Sequence, residues 1–519
     1  MKNTITLILV MLLVACNATP DDVTNPVPTA SKPLAAPVAS LPPVEGPDPS
    51  YQVGAFYYPW YGNPDTDGEW IHWNDDNHRP PLDITSDYYP ALGAYSSNDP
   101  VVVAQHMAWL RQAGVGVIIV SWWGQQGARE EKPVPVLLQM AERYGIKVAF
   151  HIEPYHGRTA DKLVSDVQYL YNKYGSHPAF FHSTASSWYN PGDQAKPMFF
   201  VWAIGSPDSD SAPVVAEYWQ SAMDAIHALP QAALVIANSL QGSWITGGHF
   251  DGLYNYATLH LDREGGFAWA NSLPPDSLYI PSVIPGFSAV RIGYASDTLV
   301  PRQGVNTYAA QWSAALDTAI QPVMVTVTSF NEWHEGSQIE PAAVDIEIEP
   351  GQVYDDYGDL PLDSYLVQTR QWVDTFLATS WPETHRVRIQ VTTTSDWTTL
   401  NILSGGTWLR PEMVSASPEV TFAGMEAGDR LALTQPLADA ERGIQVQMTW
   451  DLLFSGLDPV GDLVLNIERG NIGETTVTVF NYLGDTPTSI EKFYWSGITS
   501  GRNSRQVVIP ASALVTSAP

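Results

Sequence analysis

The sequence of 519 residues is poor in residue types on which several classes of protein depend. It has one cysteine, Cys16, so no disulfide can form within the chain. Basic residues number 25 against 55 acidic residues, and the formal net charge of -30 has the wrong sign for nucleic-acid binding. A surface of this charge disfavours anionic partners and suits neutral substrates.

Several catalytic motifs are missing as well. No Gly-rich phosphate loop joins a predicted strand to a helix, and there is no GxSxG motif, so a nucleotide-binding enzyme or a serine hydrolase has no support. Residues 72–78 and 151–156 contain histidines and carboxylates, but neither stretch matches HExxH or another metal-ligand pattern. We therefore expect no catalytic metal and no cofactor.

Long apolar runs are missing beyond the N-terminus. Residues 5–15 are apolar and follow a basic start, but this run is too short to span a bilayer as a mature helix. It ends in Leu-Val-Ala-Cys, which resembles a bacterial lipobox; an ordinary signal peptide with an incidental cysteine is the alternative. We predict a lipoprotein signal peptide over residues 1–16 with a lipidated Cys16. The protein is then lipid-anchored in the bacterial cell envelope, at the outer membrane or cell surface, or is secreted.

Residues 17–50 lack aromatic side chains and contain nine prolines. Such a segment cannot bury a core, so we predict a disordered Pro-rich linker. In an extended polyproline conformation it reaches on the order of 100 Å. The arrangement predicts a folded module held away from a membrane.

From residue 51 onward, short apolar runs alternate with segments of helical period. The runs are Val53–Tyr61, Val115–Trp123, Lys147–Tyr155, Pro197–Ile204, Leu234–Ser239, Asp251–Ala257, Tyr279–Phe287 and Pro322–Trp333. The predicted helices include Val101–Ala113, Pro133–Tyr144, Thr159–Tyr174, Ala212–Leu229, Thr307–Ala319 and Leu362–Ala378. Apolar strands that alternate with helices are typical of a parallel sheet covered on both faces. Eight such runs predict a (β/α)8 TIM barrel over residues 51–382, with a doubly wound sheet as the alternative.

The pattern of apolar and polar residues changes again in the C-terminal part of the chain. Short runs with period-two alternation, such as HRVRIQVTTT, RGIQVQMTW and TTVTVFNY, are separated by Gly, Asp, Pro and Ser. No helical period is evident. We predict a C-terminal all-β sandwich over residues 383–519, which either binds carbohydrate or packs on the barrel.

Aromatic residues and carboxylates gather where the predicted barrel strands end. The strand ends read FYYPWYGN, followed by GEWIHWN, then SWWG, HIEPYHGR, YNYA and FNEWHEG. In a barrel of this kind the active site is built from these ends. Flat rings suit the apolar faces of sugars, while carboxylates and amides bind sugar hydroxyls. A rim of this composition predicts carbohydrate recognition.

Glu332 and Glu335 stand three residues apart at the end of the last predicted strand. Side chains at this spacing point to opposite faces of a continuous strand, so both reach one pocket only if the chain turns just after Glu332. Cleavage of a glycosidic bond commonly uses two carboxyl groups. Neighbouring carboxyl groups in a partly dry pocket have pKa values that move apart, so one serves as acid while the other stays ionised.

At these same residues the sequence resembles glycoside hydrolase family 99, which comprises endo-α-mannosidases and endo-α-mannanases. The signature-like segments are FYYPWYGNPDTDGEWIHWN, SWWG, FHIEPYHGR, RIGYASDTLVPRQGVNTYAAQW and SFNEWHEGSQIEPA, in the family's order, and the resemblance covers residues 53–378. It implies a (β/α)8 barrel and endo-cleavage of α-mannosides with retention, without a catalytic metal. The expected substrate is α-mannan or a mannose-containing oligosaccharide. Residues 291–296 read RIGYAS where the family often has a longer RIRPWN-like stretch.

The resemblance also implies roles for individual residues. Glu332 is expected to act as a base on the 2-hydroxyl of the mannose being cleaved, which then attacks C1 to form a 1,2-anhydro sugar. Glu335 is expected to be the general acid and base. The candidate substrate-binding residues are Trp60, Tyr61, His72, Trp123, His151, Glu153, Tyr155, Tyr256, Arg291, Trp333 and His334.

Two further readings of the same residues remain open. An endo-α-glucan hydrolase is possible on the same barrel, and product analysis on mannan against α-glucans separates it from a mannosidase. A non-catalytic glycan-binding surface lipoprotein also fits the aromatic rim. This reading differs from the two hydrolase readings, because a binding protein does not require both Glu332 and Glu335.

Overall fold

The computed structural model describes residues 41–379, except positions 187–193, 205–214, 262–264, 274–276, 296–298 and 319, together with a set of strands between residues 384 and 509. The predicted signal peptide, Cys16 and most of the predicted linker lie outside the described residues. Among the helices that are described, none is both long and apolar enough to cross a bilayer.

Eight parallel strands form a nearly closed barrel within the described part of residues 41–379. In chain order, strands 1 to 8 are Ser50–Tyr57, Val115–Trp122, Lys147–Ile152, Lys196–Val201, Leu234–Asn238, Gly252–Tyr254, Leu278–Ile280 continued by Ser282–Val283, and Val325–Val327. Strands 1 to 7 pair with their neighbours in chain order, and strand 8 pairs with both strand 1 and the second segment of strand 7. This arrangement is consistent with the predicted TIM barrel.

Close packing between backbones shapes the barrel where strands 6 and 7 meet. Strand 7 is interrupted at Pro281, which has no N–H for a ladder hydrogen bond. In strand 6, a Cβ at Gly252 would lie 2.2 Å from the carbonyl oxygen of Leu278. A side chain at position 252 would therefore push the two strands apart.

The burial of the strands explains their uninterrupted apolar sequences. Every residue of strand 2 is buried, since the barrel interior covers one face and helices cover the other. The longer helices are Pro100–Gln112, Val134–Tyr144, Ala160–Tyr174, Gln220–His227, Asn306–Leu316 and Ser364–Ala378. Shorter α or 3₁₀ turns are Pro64–Asp67, Asp75–Asn77, Ala128–Glu131, Ala216–Trp219, Ser243–Thr246, Ala268–Ser272 and Val290–Ile292.

Local sequence signals set the helix ends. Asp99 caps the helix Pro100–Gln112, since its carboxylate accepts the Val101 N–H at 2.8 Å and Pro100 occupies the first helical position. Gly145 ends the helix Val134–Tyr144 in the left-handed conformation, at a φ of 70°.

The observed strands end earlier than the predicted ones. Strand 1 ends at Tyr57 rather than Tyr61, and strand 8 ends at Val327 rather than Trp333. Beyond these ends the backbone no longer follows a regular strand ladder; for example, the N–H of Tyr58 donates to the side chain of Asn331 at 2.8 Å, and the N–H of Ser329 donates to the carbonyl of Ser337 at 2.8 Å. Apart from His151, which lies within strand 3, the residues predicted to form the site therefore lie on rim loops beyond the sheet.

Smaller strands occur outside the barrel. His182–Ser183 pairs with strand 4, and Glu347–Glu349 pairs with Gln352–Val353. In the described part beyond residue 383, one antiparallel sheet has the strand order Arg410–Ser415, Val446–Ser455, Thr384–Thr393, Glu474–Leu483 and Thr486–Ser496. A second has the order Thr398–Ser404, Leu463–Arg469 and Asn503–Ile509. The packing of these sheets into a sandwich stays a prediction.

Candidate active site

Glu332 and Glu335 lie on the loop that follows strand 8. Glu332 precedes the turn Trp333–Gly336 and Glu335 lies within it; the turn is closed by a hydrogen bond of 3.2 Å from Gly336 N to Trp333 O. The backbone N–H of Glu332 donates to Ser329 Oγ at 2.7 Å, and its Oε1 accepts the backbone N–H of His334 at 3.1 Å. The turn expected after Glu332 is therefore present, and the loop backbone itself holds the Glu332 carboxyl group.

Both carboxyl groups are almost fully buried, at 3% and 6% exposure. Burial raises the pKa of Glu332 well above its ordinary value, and the charge of Glu335 raises it further. Burial also raises the pKa of Glu335 to about 7; a hydrogen bond from Tyr256 opposes this rise and the charge of Glu153 adds to it. Because charge on one group disfavours charge on the other, the pair retains a proton near neutral pH.

Glu153 is a third buried carboxyl group and lies one residue after strand 3. Its Oε1 accepts a hydrogen bond from Ser121 Oγ at 2.8 Å and lies 3.0 Å from His151 Nδ1. The other ring nitrogen of His151 lies 2.6 Å from the hydroxyl of Tyr254. Strands 2, 3 and 6 together fix Glu153 and His151 at the barrel mouth.

Two tyrosines link the three carboxyl groups. The hydroxyl of Tyr256 donates to Glu335 Oε2 at 3.3 Å and makes a short hydrogen bond with the hydroxyl of Tyr58. Burial, followed by the charges of Glu153, Glu332 and Glu335, raises the pKa of Tyr58 well above its ordinary value. The three carboxyl groups therefore lie near enough to Tyr58 to disfavour its ionisation, and its phenol stays neutral.

Partly exposed rings surround this pocket. Trp60, Trp123 and Tyr155 are half-buried, as the role of sugar-stacking surfaces requires. The ring of Trp202, half-buried just after strand 4, lies 4.6 Å from that of Tyr256. Tyr155 is fixed by a hydrogen bond from its hydroxyl to Asp166. The sequence interpretation missed Trp202, although a tryptophan near the end of the predicted run Pro197–Ile204 was a signal for it.

The structure corrects the predicted contact role of Tyr61 and Trp333. Both are completely or almost completely buried, so neither offers a face to a sugar. Tyr61 stacks on Trp73 at 4.1 Å, and its hydroxyl accepts the N–H of Trp333 at 3.2 Å. The indole N–H of Trp333 lies 3.0 Å from Glu340 and 3.1 Å from the hydroxyl of Tyr95. Through these contacts, both rings help to hold in place the loop that carries Glu332.

Arg291 is placed at the rim, but its guanidinium is bonded to protein groups. It pairs with Asp83, donates to the carbonyl of Ile84 at 3.2 Å, and lies over the ring of Tyr354 at 5.3 Å. Its backbone N–H donates to Asp87 at 3.2 Å. In this arrangement Arg291 fastens the 78–87 loop to the rim and does not bond to the three carboxyl groups.

Arg302 is a residue that the sequence interpretation missed. It is 7% exposed, and its Nη2 donates to the carbonyls of Gly336 at 3.0 Å and Gln338 at 2.7 Å. Its guanidinium lies 4.6–4.9 Å from the ring centres of three tyrosines, Tyr88, Tyr357 and Tyr365. Because no sequence spacing connects Arg302 with the 332–338 loop, only the fold reveals this contact.

The backbone of Glu335 is held from the opposite side as well. Its carbonyl accepts the N–H of Ser288 at 2.7 Å. The next residue, Gly336, has a φ of 56°, and a Cβ there would lie 2.7 Å from the carbonyl oxygen of Ser288. Glycine is therefore required at position 336, and the position of Glu335 is determined by its neighbours on both sides.

His334 and His72 occupy the outer edge of the pocket. The Nε2–H of His334 donates to the backbone carbonyl of His72 at 2.8 Å, and the two rings lie 4.1 Å apart. Asp75 lies 2.6 Å from the ring of His72. These three side chains form the one group of possible metal ligands found among the described residues.

A paired acid and base in a dry pocket are what the cleavage of a glycosidic bond requires, and half-buried rings can hold the sugar. A parallel barrel that places such a pair at the carboxyl ends of its strands belongs to the class of carbohydrate-cleaving barrel enzymes.

Comparison with known proteins identifies the family. The sequence profile of Glycosyl hydrolase family 99 matches residues 49–378. The chain therefore belongs to glycosyl hydrolase family 99 and is a glycoside hydrolase.

Individual relatives are similar over the same part of the chain. Glycoprotein endo-alpha-1,2-mannosidase of Xenopus laevis is 34% identical over 371 residues, covering 64% of this chain and 79% of the relative. The Rattus norvegicus enzyme is also 34% identical, covering 64% of this chain and 76% of the relative. Among solved structures, the GH99 endo-alpha-mannosidase of Bacteroides thetaiotaomicron matches with a TM-score of 0.54 and 34% identity, covering 63% of this chain and 98% of that one.

Proposed function

We propose that this protein is a retaining, endo-acting glycoside hydrolase that cleaves internal α-mannosidic linkages of mannan or mannose-rich glycans. The observation that carries the proposal is the buried pair of Glu332 and Glu335 with raised pKa values, in a chain similar to endo-α-mannosidases. The half-buried rings around the pair would stack against the sugar faces.

In the proposed first step, the Glu332 carboxylate takes the proton of the 2-hydroxyl of the mannose being cleaved. The freed oxygen attacks C1 and closes a 1,2-anhydro ring as the bond from C1 to the leaving oxygen breaks. Glu335 gives its proton to that oxygen. A pKa of about 7 keeps this proton on Glu335 in neutral or mildly acidic solution. With Glu335 protonated, its charge no longer raises the pKa of Glu332, but burial, the larger cause, still does, and a raised pKa makes the Glu332 carboxylate a stronger base for the 2-hydroxyl proton.

In the second step, the Glu335 carboxylate takes a proton from water, and the hydroxide oxygen bonds to C1. The bond between C1 and the oxygen carried by C2 breaks, which opens the 1,2-anhydro ring, and Glu332 returns its proton to that oxygen, restoring the 2-hydroxyl. Two inversions at C1 give net retention, and both carboxyl groups end in their starting states.

We also propose that the enzyme is a lipoprotein. Support comes from the sequence alone: a lone cysteine at residue 16 after an apolar segment, followed by a Pro-rich linker. The antiparallel sheets beyond residue 383 fit the proposed β-sandwich, which would contribute carbohydrate binding or pack on the barrel. The barrel would then act on glycans at the cell envelope.

The test is product analysis by mass spectrometry on a panel of α-mannans and α-glucans, with the anomeric configuration followed by NMR. We expect internal cleavage of α-mannan with retention. Glu332→Gln and Glu335→Gln should each lose most activity while keeping the fold. A substrate with a good leaving group should partly rescue the first step only in Glu335→Gln, since it needs little protonation.

A 2-deoxy substrate distinguishes the proposed mechanism from direct attack by a carboxylate. It lacks the attacking oxygen and should not be cleaved by the intact enzyme. Rapid turnover of this substrate, or a covalent sugar adduct on Glu332, would overturn the 1,2-anhydro route. Cleavage of α-glucan in preference to α-mannan would overturn the proposed specificity.

A further inference from the structure

A group of three side chains at the outer edge of the pocket has the composition of a metal site. His72, Asp75 and His334 each offer one ligand atom, and these atoms all lie within 4.8 Å of one another. Two imidazoles and one carboxylate suit a first-row transition metal or zinc rather than magnesium or calcium. We propose that these three side chains bind one Zn²⁺ ion from solution and that the bound ion inhibits the enzyme.

His334 is set up as a ligand by its own hydrogen bond. Its Nε2–H donates to the carbonyl oxygen of His72 at 2.8 Å, so in the neutral ring the lone pair lies on Nδ1. A backbone carbonyl that fixes the free nitrogen in this way is the usual support of a metal-binding histidine.

Asp75 supplies the negative charge and the access from solvent. Burial acts to raise its pKa, but the hydrogen bond and the charge of His72 outweigh burial and lower the pKa to about 2. Its carboxylate lies 2.6 Å from His72 Nδ1 and is 48% exposed, while the side chain of His72 is 18% exposed. A hydrated cation can therefore reach the carboxylate and exchange water for the imidazoles.

Inhibition follows from the position of the group. The backbone N–H of His334 donates to Glu332 Oε1 at 3.1 Å, and Glu335 is the next residue. A divalent ion bound by the His334 side chain would therefore lie beside the residues proposed to act on the substrate. It would also occupy space at the mouth of the pocket, beside Trp60, whose ring lies 4.5 Å from that of His72.

Direct binding tests the site without any substrate. Isothermal titration of the full-length protein with ZnCl₂ should show one saturable site per chain. Asp75→Ala should weaken binding by about tenfold or more, since metal sites lose 10–100-fold affinity when their supporting groups are removed. Asp76→Ala, which removes the adjacent carboxylate outside the group, is the matched control and should bind like the wild type. His72→Gln should weaken binding as Asp75→Ala does.

Activity tests the consequence. ZnCl₂ should inhibit the wild type and EDTA should reverse this, whereas Asp75→Ala should keep the basal rate and resist inhibition. Absence of a saturable site, or equal affinity in Asp75→Ala, would overturn the metal site. Binding without inhibition would overturn its regulatory role. The metal site does not depend on the proposed function, since an enzyme inactive on mannan could still bind Zn²⁺. Failure to cleave mannan and failure to bind Zn²⁺ are therefore distinguishable.

Discussion

Glu335 is a carboxylic acid whose surroundings penalise its charge. Burial is the main cause, and it raises the pKa to about 7. An ordinary glutamate would have lost its proton well below pH 7 and could not protonate a leaving oxygen there. The dry pocket therefore suits Glu335 to the proposed acid function, which an exposed glutamate could not perform at pH 7.

The pH dependence of the reaction follows from this. As pH rises through about 7, Glu335 loses the proton it must donate, so kcat/KM on natural glycans should fall along an alkaline limb with an apparent pKa near 7. Rate measurements from pH 5 to 9 check this limb. An aryl glycoside has a leaving group that needs no proton. With this substrate the rate of the first step should fall much less as pH rises. If the rate fell equally with pH for both substrates, Glu335 would not be the acid.

The raised pKa of Glu335 also means that its ionised form destabilises the folded state at high pH. Because it is raised in the fold, the contribution of Glu335 to stability is full below its unfolded pKa of ~4.3 and is lost as pH rises through about 7. Glu335→Gln should therefore raise the free energy of unfolding by about 1–3 kcal/mol at pH 8 and leave it unchanged at pH 4.

Urea denaturation followed by tryptophan fluorescence measures this difference at the two pH values. Glu347→Gln alters an exposed carboxylate in the hairpin after the catalytic loop and serves as the matched control. It should show no such gain at pH 8. Equal effects of the two substitutions would mean that burial of Glu335 carries no electrostatic penalty.

At the scale of elements, the loop 328–340 owes its shape to groups from elsewhere in the barrel. Arg302 holds two of its carbonyls, Ser288 holds the carbonyl of Glu335, and the hydroxyl of Tyr95 accepts the indole N–H of Trp333. These contacts replace the strand ladder that ends at Val327. The loop therefore presents its carboxyl groups with little freedom, as catalysis by positioned groups requires.

Arg302→Lys tests this support. Lysine keeps the charge but cannot present two aligned N–H groups or stack flat against the tyrosines. We expect kcat to fall by about 10²-fold with a smaller change in KM, since a small displacement of a catalytic group has an effect of this size. The alkaline limb assigned to Glu335 should also move, which a purely structural role would not cause.

Steady-state kinetics with circular dichroism checks the fold and the rate together. Arg143→Lys changes an exposed arginine at a helix end and is the matched control. A folded Arg302→Lys enzyme with the wild-type kcat and pH profile would show that the loop holds Glu335 without Arg302.

At the scale of the whole molecule, the proposed organisation is an acidic barrel on a membrane tether. A linker that reaches on the order of 100 Å would let the barrel act on glycans away from the lipid surface. The net charge of -30 favours solubility and repels anionic partners, while neutral mannans would not be affected.

Cys16→Ser tests the tether. Without the thiol no lipid can be attached, so the protein should move from the membrane fraction to the soluble fraction with unchanged kcat/KM on soluble glycans. Fractionation and mass spectrometry of the N-terminus provide the measurement. Membrane association that persists in Cys16→Ser would overturn the lipoprotein proposal.

The sequence by itself determined the barrel and predicted Glu332 and Glu335 as the catalytic pair. The apolar runs were long enough to locate all eight strands, and they alternated regularly with helices. Strands buried on both faces consist mostly of apolar residues, which makes such runs visible in the sequence. Glu332 and Glu335 were found since they are three residues apart in a recognisable segment. The early ends of strands 1 and 8 were missed because rim residues are also aromatic and so resemble strand residues.

Only the tertiary structure decided which of these residues face the pocket. Trp333 and Tyr61 have the composition of sugar-stacking residues, yet the fold buries them under the loop. Arg302 has no local signal at all, and its contact with Gly336 spans 34 residues. The raised pKa of Glu335 likewise arises from burial by distant segments. Composition and spacing record local preference, whereas burial and long-range contact exist only once the chain has folded.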